Sequence, residues 1–518
     1  WPGYALFHQP ADFWQGNTFF PEPDTFAFTD SMLGYAPLSL IGHGPAAAMV
    51  RYNIVYVLIA IIAFLGAYAL ARQLGARWPG AVVAGAAFAY APWRLAHASH
   101  PNVLSVGGMA LALAALARGH GYSFRDGYQP DRVRPGWAAV GWGIACWQVM
   151  IGFAVGLPVV YILALICVVA GIGWLVAGRP RLPRRLLVAD GVGGVFFALT
   201  GGLIALPYLQ VAERHPEAIR GEADLKLFSP PFRGFFTAPQ DSWFWGDLHA
   251  NARATLFWLP EMTLLPGAVV AALAVMGLIS SSWTVRQRLA LAAATVASVV
   301  LALGTTLAGG KYTYLPLLHH LPGWDGLRTP GRLVIWTTLA LGLLAAGAVT
   351  RIGDDLTAWR SRREPGEQRQ RWPVWVTALL LLPGLLVLGE GVNNTAHPTV
   401  PPEPAAIRDI KGPALVLPTE HFFDMAVMFW STDGFPVVTN GSSSFNPATL
   451  YQTREITKTF PDVTSVDHLR RLGVHQVVLL TDHVAGTPWQ DAAQRPVDGL
   501  PLRRTETKGA IVYTLDPS

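Results

Sequence analysis

Ten stretches of the sequence are apolar over close to the length that crosses a lipid bilayer, and this pattern limits the chain to a polytopic membrane protein. They lie at 54–72, 80–95, 102–118, 136–154, 156–178, 187–208, 263–281, 287–306, 332–350 and 373–391. Charged residues make up only 14% of the 518 residues, whereas soluble domains have about 25%. The fold class that we expect is therefore an α-helical bundle with about ten spans. Between the fourth and fifth spans, the sequence around Gly152 predicts a tight re-entrant bend.

Arginine is concentrated in alternate connections between the predicted spans, and connections of this kind face the cytoplasm. The arginine-rich connections hold Arg72 and Arg77, Arg118 to Arg134, Arg179 to Arg185, Arg286 and Arg288, and Arg351 to Arg371. The long loops 1–53, 209–262 and 307–331, together with everything after 391, are then extracytoplasmic. A chain that begins in the cytoplasm needs one more span ahead of Trp1, and we expect that span to be missing from this sequence.

The region after 391 differs in character from the rest of the chain. Its apolar runs shorten to strand length at 414–418, 436–440, 475–480 and 510–515, and a helix with a glycine stop is predicted over 463–474. We therefore divide the chain into a transmembrane domain, 1–391, and a small extracytoplasmic α/β domain, 392–518.

Several kinds of chemistry have no support in the sequence. Phosphate-binding glycine loops, HExxH, CxxC and GxSxG motifs do not occur. Cys146 and Cys167 both fall inside predicted spans, so a disulfide framework is not expected. Nucleotide-driven chemistry and nucleic-acid binding are thus not indicated, and a substrate already in the membrane is easier to accommodate.

The opening segment 1–45 is aromatic, rich in Pro and Gly, and acidic, and no helical or strand period runs far along it. Its Asp30 stands in FAFTDSMLG, close to the first span, and is a candidate catalytic carboxylate. An equally good interpretation is that Asp30 caps a following helical turn.

A second candidate carboxylate is Glu261, in LPEMTLLPG at the mouth of a span. An acid at that depth is costly, which makes it a functional candidate. The loop 209–262 that precedes it also carries many Phe and Trp residues, which suit either a lipid and sugar site or an aromatic belt at the membrane surface.

Four basic residues of the predicted extracytoplasmic connections are candidate substrate-binding groups. His97 and His100 would share one face of a helical turn, where they could bind a polar or phosphate group, although ordinary loop histidines remain an alternative. Arg328 and Arg332 flank a Pro-Gly turn before a span, against the positive-inside trend. One interpretation is phosphate recognition by their planar forks, and an equally good one is snorkelling of the side chains or a simple pair with Asp325.

The order of several segments resembles the glycosyltransferase C (GT-C) superfamily of bacterial polytopic membrane glycosyltransferases. The matching segments are FFPEPDTFAFTDSMLGYAPL (19–38), AGAAFAYAPWRLAHASHPNVLS (84–105), PEMTLLPG (260–267), LPGWDGLRTPGRLVIW (321–336) and MFWSTDGFPVVTNGSSSFNPATL (428–450). The resemblance implies a helical bundle whose extracytoplasmic loops form the active site, a polyprenyl-phosphate sugar donor, and an acidic base in the first large loop. The family's Gly-Asp type motif would precede Trp1, which leaves Asp30 as the best acid in this sequence.

From these observations we expect an enzyme of the bacterial inner membrane that moves a sugar from polyprenyl phosphate to an extracytoplasmic glycan or protein acceptor. Asp30 and Glu261 would be its catalytic carboxylates, one as base and one as an orienting group. No organic cofactor and no metal-ligand set is predicted, and dependence on a divalent metal is left open. The alternatives are a lipid-linked glycan ligase or polymerase and a non-catalytic scaffold. A transporter is disfavoured because the spans are almost free of charge.

Overall fold

The computed structural model describes residues 1–179, 181–363, 374–397 and 399–517. The predicted cytoplasmic arginines Arg369 and Arg371, and the first residue of the last predicted span, lie outside the described residues. The α-helices of the first half are α1 Pro2–His8, α2 Gly44–Gln73, α3 Trp78–Tyr90, α4 Pro101–Leu104, α5 Gly107–Gly119, α6 Pro135–Ile151, α7 Phe153–Val176, α8 Arg184–Arg214, α9 Glu222–Phe228 and α10 Ala250–Arg253. Those of the second half are α11 Leu259–Met262, α12 Ala268–Ile279, α13 Val285–Ala302, α14 Leu315–His320, α15 Val334–Arg363, α16 Val374–Glu390, α17 Ala405–Arg408, α18 His421–Trp430, α19 Ala448–Ile456 and α20 Val463–Arg471.

Each predicted span overlaps one of these helices, and the protein is a multi-pass membrane protein. Within the described residues, six helical segments are long and apolar enough to cross a membrane by length and composition. They are Gly44–Gln73, Pro101–Gly119, Phe153–Val176, Arg184–Arg214, Val285–Ala302 and Pro330–Arg360. Shorter apolar helices, α12 and α16 among them, account for the other predicted spans. The predicted class of α-helical polytopic membrane protein is thereby confirmed.

Small residues allow the short helix α3 to pack closely inside the bundle. A Cβ on Gly80 would come within 2.5 Å of the Ala346 carbonyl oxygen, and one on Gly85 within 2.9 Å of the Phe64 carbonyl oxygen. Close backbone approach of this kind is how helices associate when lipid removes the hydrophobic drive between them. A buried cluster that includes Val83 and Val349 forms the surrounding core.

The bend expected near Gly152 is present. Helix α6 ends at Ile151 and helix α7 begins at Phe153, so only Gly152 separates them. The two helices approach closely, since a Cβ on Gly156 would lie 3.2 Å from the Cα of Val149. The chain therefore turns back on itself here instead of continuing as one long helix.

The described chain forms two compact units. The first unit comprises Trp1–Val55, Ile204–Ile219 and His397–Ser518, and the second comprises Tyr56–Leu203 and Arg220–Ala396. The division into folding domains at 391/392 stays a prediction. In space, the opening segment groups with the C-terminal region.

A four-stranded sheet forms the centre of the first unit. Its strands are β3 Ala414–Leu417, β4 Gln476–Leu480, β5 Leu502–Thr507 and β6 Ala510–Leu515, in the order β3-β4-β6-β5. Strands β3 and β4 pair in parallel, and the pairs β4–β6 and β6–β5 are antiparallel. Alternate residues face two separate cores, because Leu415 and Leu417 belong to one buried cluster and Val416 to the other. A short antiparallel hairpin lies in the second unit, and each of its strands, β1 Tyr122–Ser123 and β2 Gly127–Tyr128, has two residues.

The predicted strand 436–440 is the exception, because it forms only an isolated bridge between Val438 and Ala414. The backbone of the opening segment occupies its other side: Phe19 N–H donates to Asn440 O at 3.1 Å and Phe20 N–H to Val438 O at 3.1 Å. In return, Val438 N–H donates to Asn17 O at 2.8 Å. The opening segment is therefore attached to the α/β fold by backbone hydrogen bonds, which a local sequence pattern does not reveal.

Candidate functional site

A buried ion pair lies at the centre of the candidate site in the second unit. Glu261 lies in the short helix α11, and Arg332 lies in a 3₁₀ turn, Pro330–Leu333, which leads into α15. Arg332 Nε donates to both carboxylate oxygens at 3.1 and 3.2 Å, and Nη2 donates to Oε1 at 2.6 Å. The side chains are only 4% and 20% exposed, respectively. A planar, forked contact of this kind fixes the orientation of the guanidinium group.

Glycine makes the close approach of these two elements possible. A Cβ on Gly331 would lie 2.6 Å from the Glu261 carbonyl oxygen, so a larger residue would push the two turns apart. The Pro-Gly turn that the sequence singled out therefore has a packing role in addition to starting the helix.

The charge state of Glu261 follows from its surroundings. Burial raises the pKa of this carboxyl, but the charge of Arg332, the neighbouring His97 and the hydrogen bonds from Arg332 outweigh burial and hold the pKa below its usual value. Glu261 is therefore ionised at neutral pH, and its charge is neutralised by Arg332. A general base works best with a pKa near the operating pH, which makes this carboxylate better suited to orienting than to accepting a proton.

His97 lies on the other side of Glu261. Its Nε2 is 4.0 Å from Glu261 Oε2, and its side chain is only 1% exposed. Among the described residues, neither ring nitrogen of His97 has a hydrogen-bond partner. Burial lowers its pKa to about 4, with Glu261 opposing the shift and Arg332 adding to it, so the ring is neutral at pH 7. The ring of His100 lies 5.5 Å away, and burial together with Arg332 lowers its pKa as well.

The turn that carries His97 is fixed by contacts to two other elements. The backbone N–H of Trp93 donates to Leu265 O at 3.0 Å, and its indole N–H donates to Thr338 Oγ1 at 3.0 Å. Arg94 Nη2 donates to Leu104 O at 3.0 Å. His97 is therefore held at its position by the surrounding fold.

Arg328 extends the positive charge beside this pair. Its guanidinium lies 5.0 Å from the centre of the Phe228 ring. Burial lowers its pKa, as do Arg220 and Arg332, while Asp224 and Glu261 oppose the shift. Arg220, whose backbone N–H donates to Asp325 O at 2.9 Å, was not singled out from the sequence. The sequence feature that could have identified Arg220 is the one that identified Arg328 and Arg332: each is an arginine in a loop predicted to lie on the arginine-poor side of the membrane.

A pocket opens beside Arg332. It is lined mostly by apolar and aromatic side chains, and the residues are Ala154, Val155, Pro158, Tyr314, Trp324, Leu327, Thr329, Arg332, Leu333, Ile335 and Trp336. The indole N–H of Trp324 is buried and has no hydrogen-bond partner among the described residues. A mostly apolar pocket with a few convergent polar groups is typical of a ligand site.

Asp30 lies in the first unit, where Tyr208 fixes the backbone on both sides of it. Ser31 N–H donates to Tyr208 Oη at 3.0 Å, and this hydroxyl donates to Thr29 O at 3.1 Å. The 3₁₀ helix that follows Asp30, Leu33–Leu40, has Met32 at its N-cap position, two residues after Asp30. The alternative interpretation, in which the Asp30 side chain caps this turn, stays a prediction. The structure thus brings together Glu261, His97, His100, Arg328 and Arg332, whereas a site common to Asp30 and Glu261 stays a prediction. Within the described residues, no three His, Cys, Asp or Glu side chains are grouped so that they could hold a metal ion.

Comparison with known proteins identifies the fold. No protein-family model matches the sequence, and no curated protein matches it. The chain is similar to the arabinofuranosyltransferase AftD from Mycobacteria, with a TM-score of 0.55, 16% identity, and coverage of 100% of this chain and 37% of AftD. It thus spans little more than a third of the length of AftD.

Two further solved structures match at lower scores. They are the Archaeoglobus fulgidus oligosaccharyltransferase AglB (TM-score 0.42, 11% identity, 99% of this chain and 69% of that chain) and ArnT from Cupriavidus metallidurans (TM-score 0.40, 15% identity, 95% and 94%). The likeness to AftD shows that the two chains share a fold, and the resemblance to the GT-C superfamily seen in the sequence is confirmed as one of fold.

Proposed function

We propose that the protein is an integral membrane glycosyltransferase that moves a sugar from a polyprenyl-phosphate donor to an extracytoplasmic acceptor. The observation that supports this most strongly is the arginine cluster beside a mostly apolar pocket, in a chain with the fold of an arabinofuranosyltransferase. An amphiphile with an anionic phosphate and an apolar tail matches such a pocket in both charge and polarity.

In this proposal, Arg332 and Arg328 hold the phosphate of the donor. The phosphate gains negative charge as the sugar leaves, and cationic donors fixed in advance stabilise that charge most effectively in a water-poor site. Glu261 serves as the orienting group in the free protein, where it holds Arg332 beside the pocket through three hydrogen-bond contacts before a donor binds. His97 and His100 complete the site, and Asp30 is the candidate base that accepts the proton of the acceptor hydroxyl.

Replacement of the arginines by lysine tests the proposal. Arg332→Lys keeps the charge but loses the planar fork, and we expect transfer from radiolabelled polyprenyl-phosphate sugars to fall by about 10²–10³-fold. Binding of polyprenyl phosphate to the purified protein should weaken in parallel. Arg351→Lys is the matched control, because Arg351 makes an exposed pair with Asp355 at 3.0 Å, and this variant should behave as wild type. Unchanged transfer and binding with both Arg328 and Arg332 replaced would rule out the arginine clamp.

The proposal also includes an orientation in the bacterial inner membrane. Single cysteines introduced at Lys508 and Asp131, both exposed, report on the C-terminal region and on an arginine-rich connection, respectively. In a background lacking Cys146 and Cys167, an impermeant thiol reagent added to intact cells should label position 508 and spare position 131. The reverse pattern would overturn the orientation.

A further inference from the structure

The negative charge of Glu261 is neutralised through hydrogen bonds from one cation, Arg332. Among the described residues, the Glu261 carboxylate accepts hydrogen bonds from Arg332 alone, through three contacts, and it is buried. If Arg332 turned toward a phosphate, the buried carboxylate would lose its hydrogen-bonded cation, which is strongly unfavourable. Arg328, the other arginine that interacts with Glu261, is itself assigned to the phosphate in the proposed function. The site therefore needs a second group that can become positive.

His97 is placed to be that group. It is buried, its Nε2 lies 4.0 Å from the far oxygen of Glu261, and neither ring nitrogen is hydrogen-bonded among the described residues. A buried, unbonded imidazole is itself costly, so its retention beside a carboxylate needs a reason. A role in a second state of the site supplies one.

The charged and titratable groups that face His97 come from each neighbouring element. Glu261 lies on α11 and favours protonation of the ring, whereas Arg332, on the turn before α15, opposes it. His100, ahead of α4, and Arg94, on the same turn as His97, also oppose protonation. Movement of Arg332 toward a bound anion would weaken the largest of the opposing charge effects while leaving the favourable effect of Glu261 in place.

We propose that His97 is a positioning residue that takes up one proton when a phosphate engages Arg332, and then serves as the counter-ion of Glu261. The proton passes from solvent to a ring nitrogen of His97, and no covalent bond changes. This inference rests on the proposed phosphate role of Arg332, and it makes binding of an anionic donor dependent on pH.

The sign of the pH dependence follows from linkage. In the free protein the pKa of His97 is about 4, and in the complex the pKa is higher, because Arg332 no longer neutralises Glu261. Between these two pKa values the complex holds one proton more than the free protein. Affinity therefore falls as pH rises, by up to about tenfold per pH unit, and becomes independent of pH above the pKa of the complex.

Calorimetry with a phosphate diester tests the inference. Geranyl methyl phosphate carries one charge across the range used, so the ligand does not titrate. We expect the purified wild-type protein to take up one proton on binding, measured in two buffers of different ionisation enthalpy, and to bind more weakly as pH rises from about 5 to 8. His97→Gln should bind with a weaker and pH-independent affinity. His100→Gln removes another proposed binding residue, so it should also bind more weakly, but it should keep the pH dependence.

The outcomes separate the inference from the proposed function. Binding by the wild type that weakens in Arg332→Lys but involves no proton uptake would overturn the role of His97 and leave the arginine clamp standing. Loss of the pH dependence in His100→Gln, with retention in His97→Gln, would also overturn it. No binding by the wild type at any pH would overturn both. Absence of proton uptake by the wild type overturns the inference even if a histidine variant does not fold.

Discussion

Each of the two units holds a pair of arginine and carboxylate that is largely buried, and the two pairs differ in their surroundings. In the first unit, Asp424 pairs with Arg454 at 2.7 Å, and in the second, Glu261 pairs with Arg332 at 2.6 Å. Asp424 also accepts hydrogen bonds from Thr419, Asn440 and the Gly441 N–H. Glu261 is held by Arg332 and has the unbonded ring of His97 on its other side.

The difference separates a structural pair from a candidate functional one. A buried charge whose oxygens are satisfied by several fixed donors ties elements of the fold together, and Asp424 does this for α18, α19 and the 440–441 turn. A buried charge that depends on one partner beside a pocket can exchange that partner for a ligand. We therefore expect replacement of Asp424 to affect folding and replacement of Glu261 to affect transfer.

The largest effect is expected at a carboxylate outside both pairs. Asp30→Asn keeps the side-chain shape but cannot accept a proton, and we expect transfer to fall by about 10²–10⁴-fold, the usual contribution of a general base. Thermal unfolding of the purified variant should match the wild type. Normal transfer by Asp30→Asn together with lost transfer by Glu261→Gln would contradict these roles, since Glu261 would then be the base.

The next effect concerns stability. Asp424→Asn leaves Arg454 buried without its charge partner, and we expect a loss of about 3–5 kcal/mol, seen as a lower Tm of the purified full chain. Asp433→Asn is the control, because Asp433 pairs with Arg408 at 3.4 Å on the surface, where water screens the charges, and its Tm should match the wild type. If Asp424→Asn had the Tm of the wild type but no transfer activity, the Asp424–Arg454 pair would be functional, and it would no longer differ in role from the Glu261–Arg332 pair.

The smallest effect should come from the orienting group. Glu261→Gln keeps a hydrogen bond to Arg332 but loses its charge-assisted character, and we expect transfer to fall by about 10–100-fold with donor binding weakened. Glu455→Gln serves as the control, since Glu455 makes an exposed pair with Lys458 at 2.7 Å. Equal transfer by Glu261→Gln and the wild type would show that Arg332 needs no orienting carboxylate.

Much of the helical architecture was accessible from the sequence, because hydropathy summed over a span does not depend on the partners of the helix. The strand Leu502–Thr507 was missed, since LRRTET is polar, mostly exposed and lies at the edge of the sheet. The backbone pairing of Phe19 and Phe20 with 438–440 was also missed, because it joins residues more than 400 positions apart and leaves no local pattern.

The members of the candidate site can be proposed from the sequence one by one, whereas their contacts cannot. Glu261 is a candidate because charge at a span boundary is costly, and Arg328 and Arg332 are candidates because arginine is uncommon on the extracytoplasmic side. Both arguments are local. The contacts of the site depend on how three turns that are distant in the sequence meet, namely those that carry His97, Glu261 and Arg332. Their meeting decides which arginine holds Glu261 and buries both ring nitrogens of His97. The place of Arg220 near Arg328 cannot be predicted, because no neighbouring residue in the sequence indicates this proximity.

Density for a bound polyprenyl phosphate would test the account most directly. A cryo-EM reconstruction of the full chain with this lipid should place the phosphate within hydrogen-bond distance of the Arg332 guanidinium, at the pocket lined by Tyr314 and Trp324. Density for the phosphate at another group of basic residues, with Arg332 still held on Glu261, would contradict it.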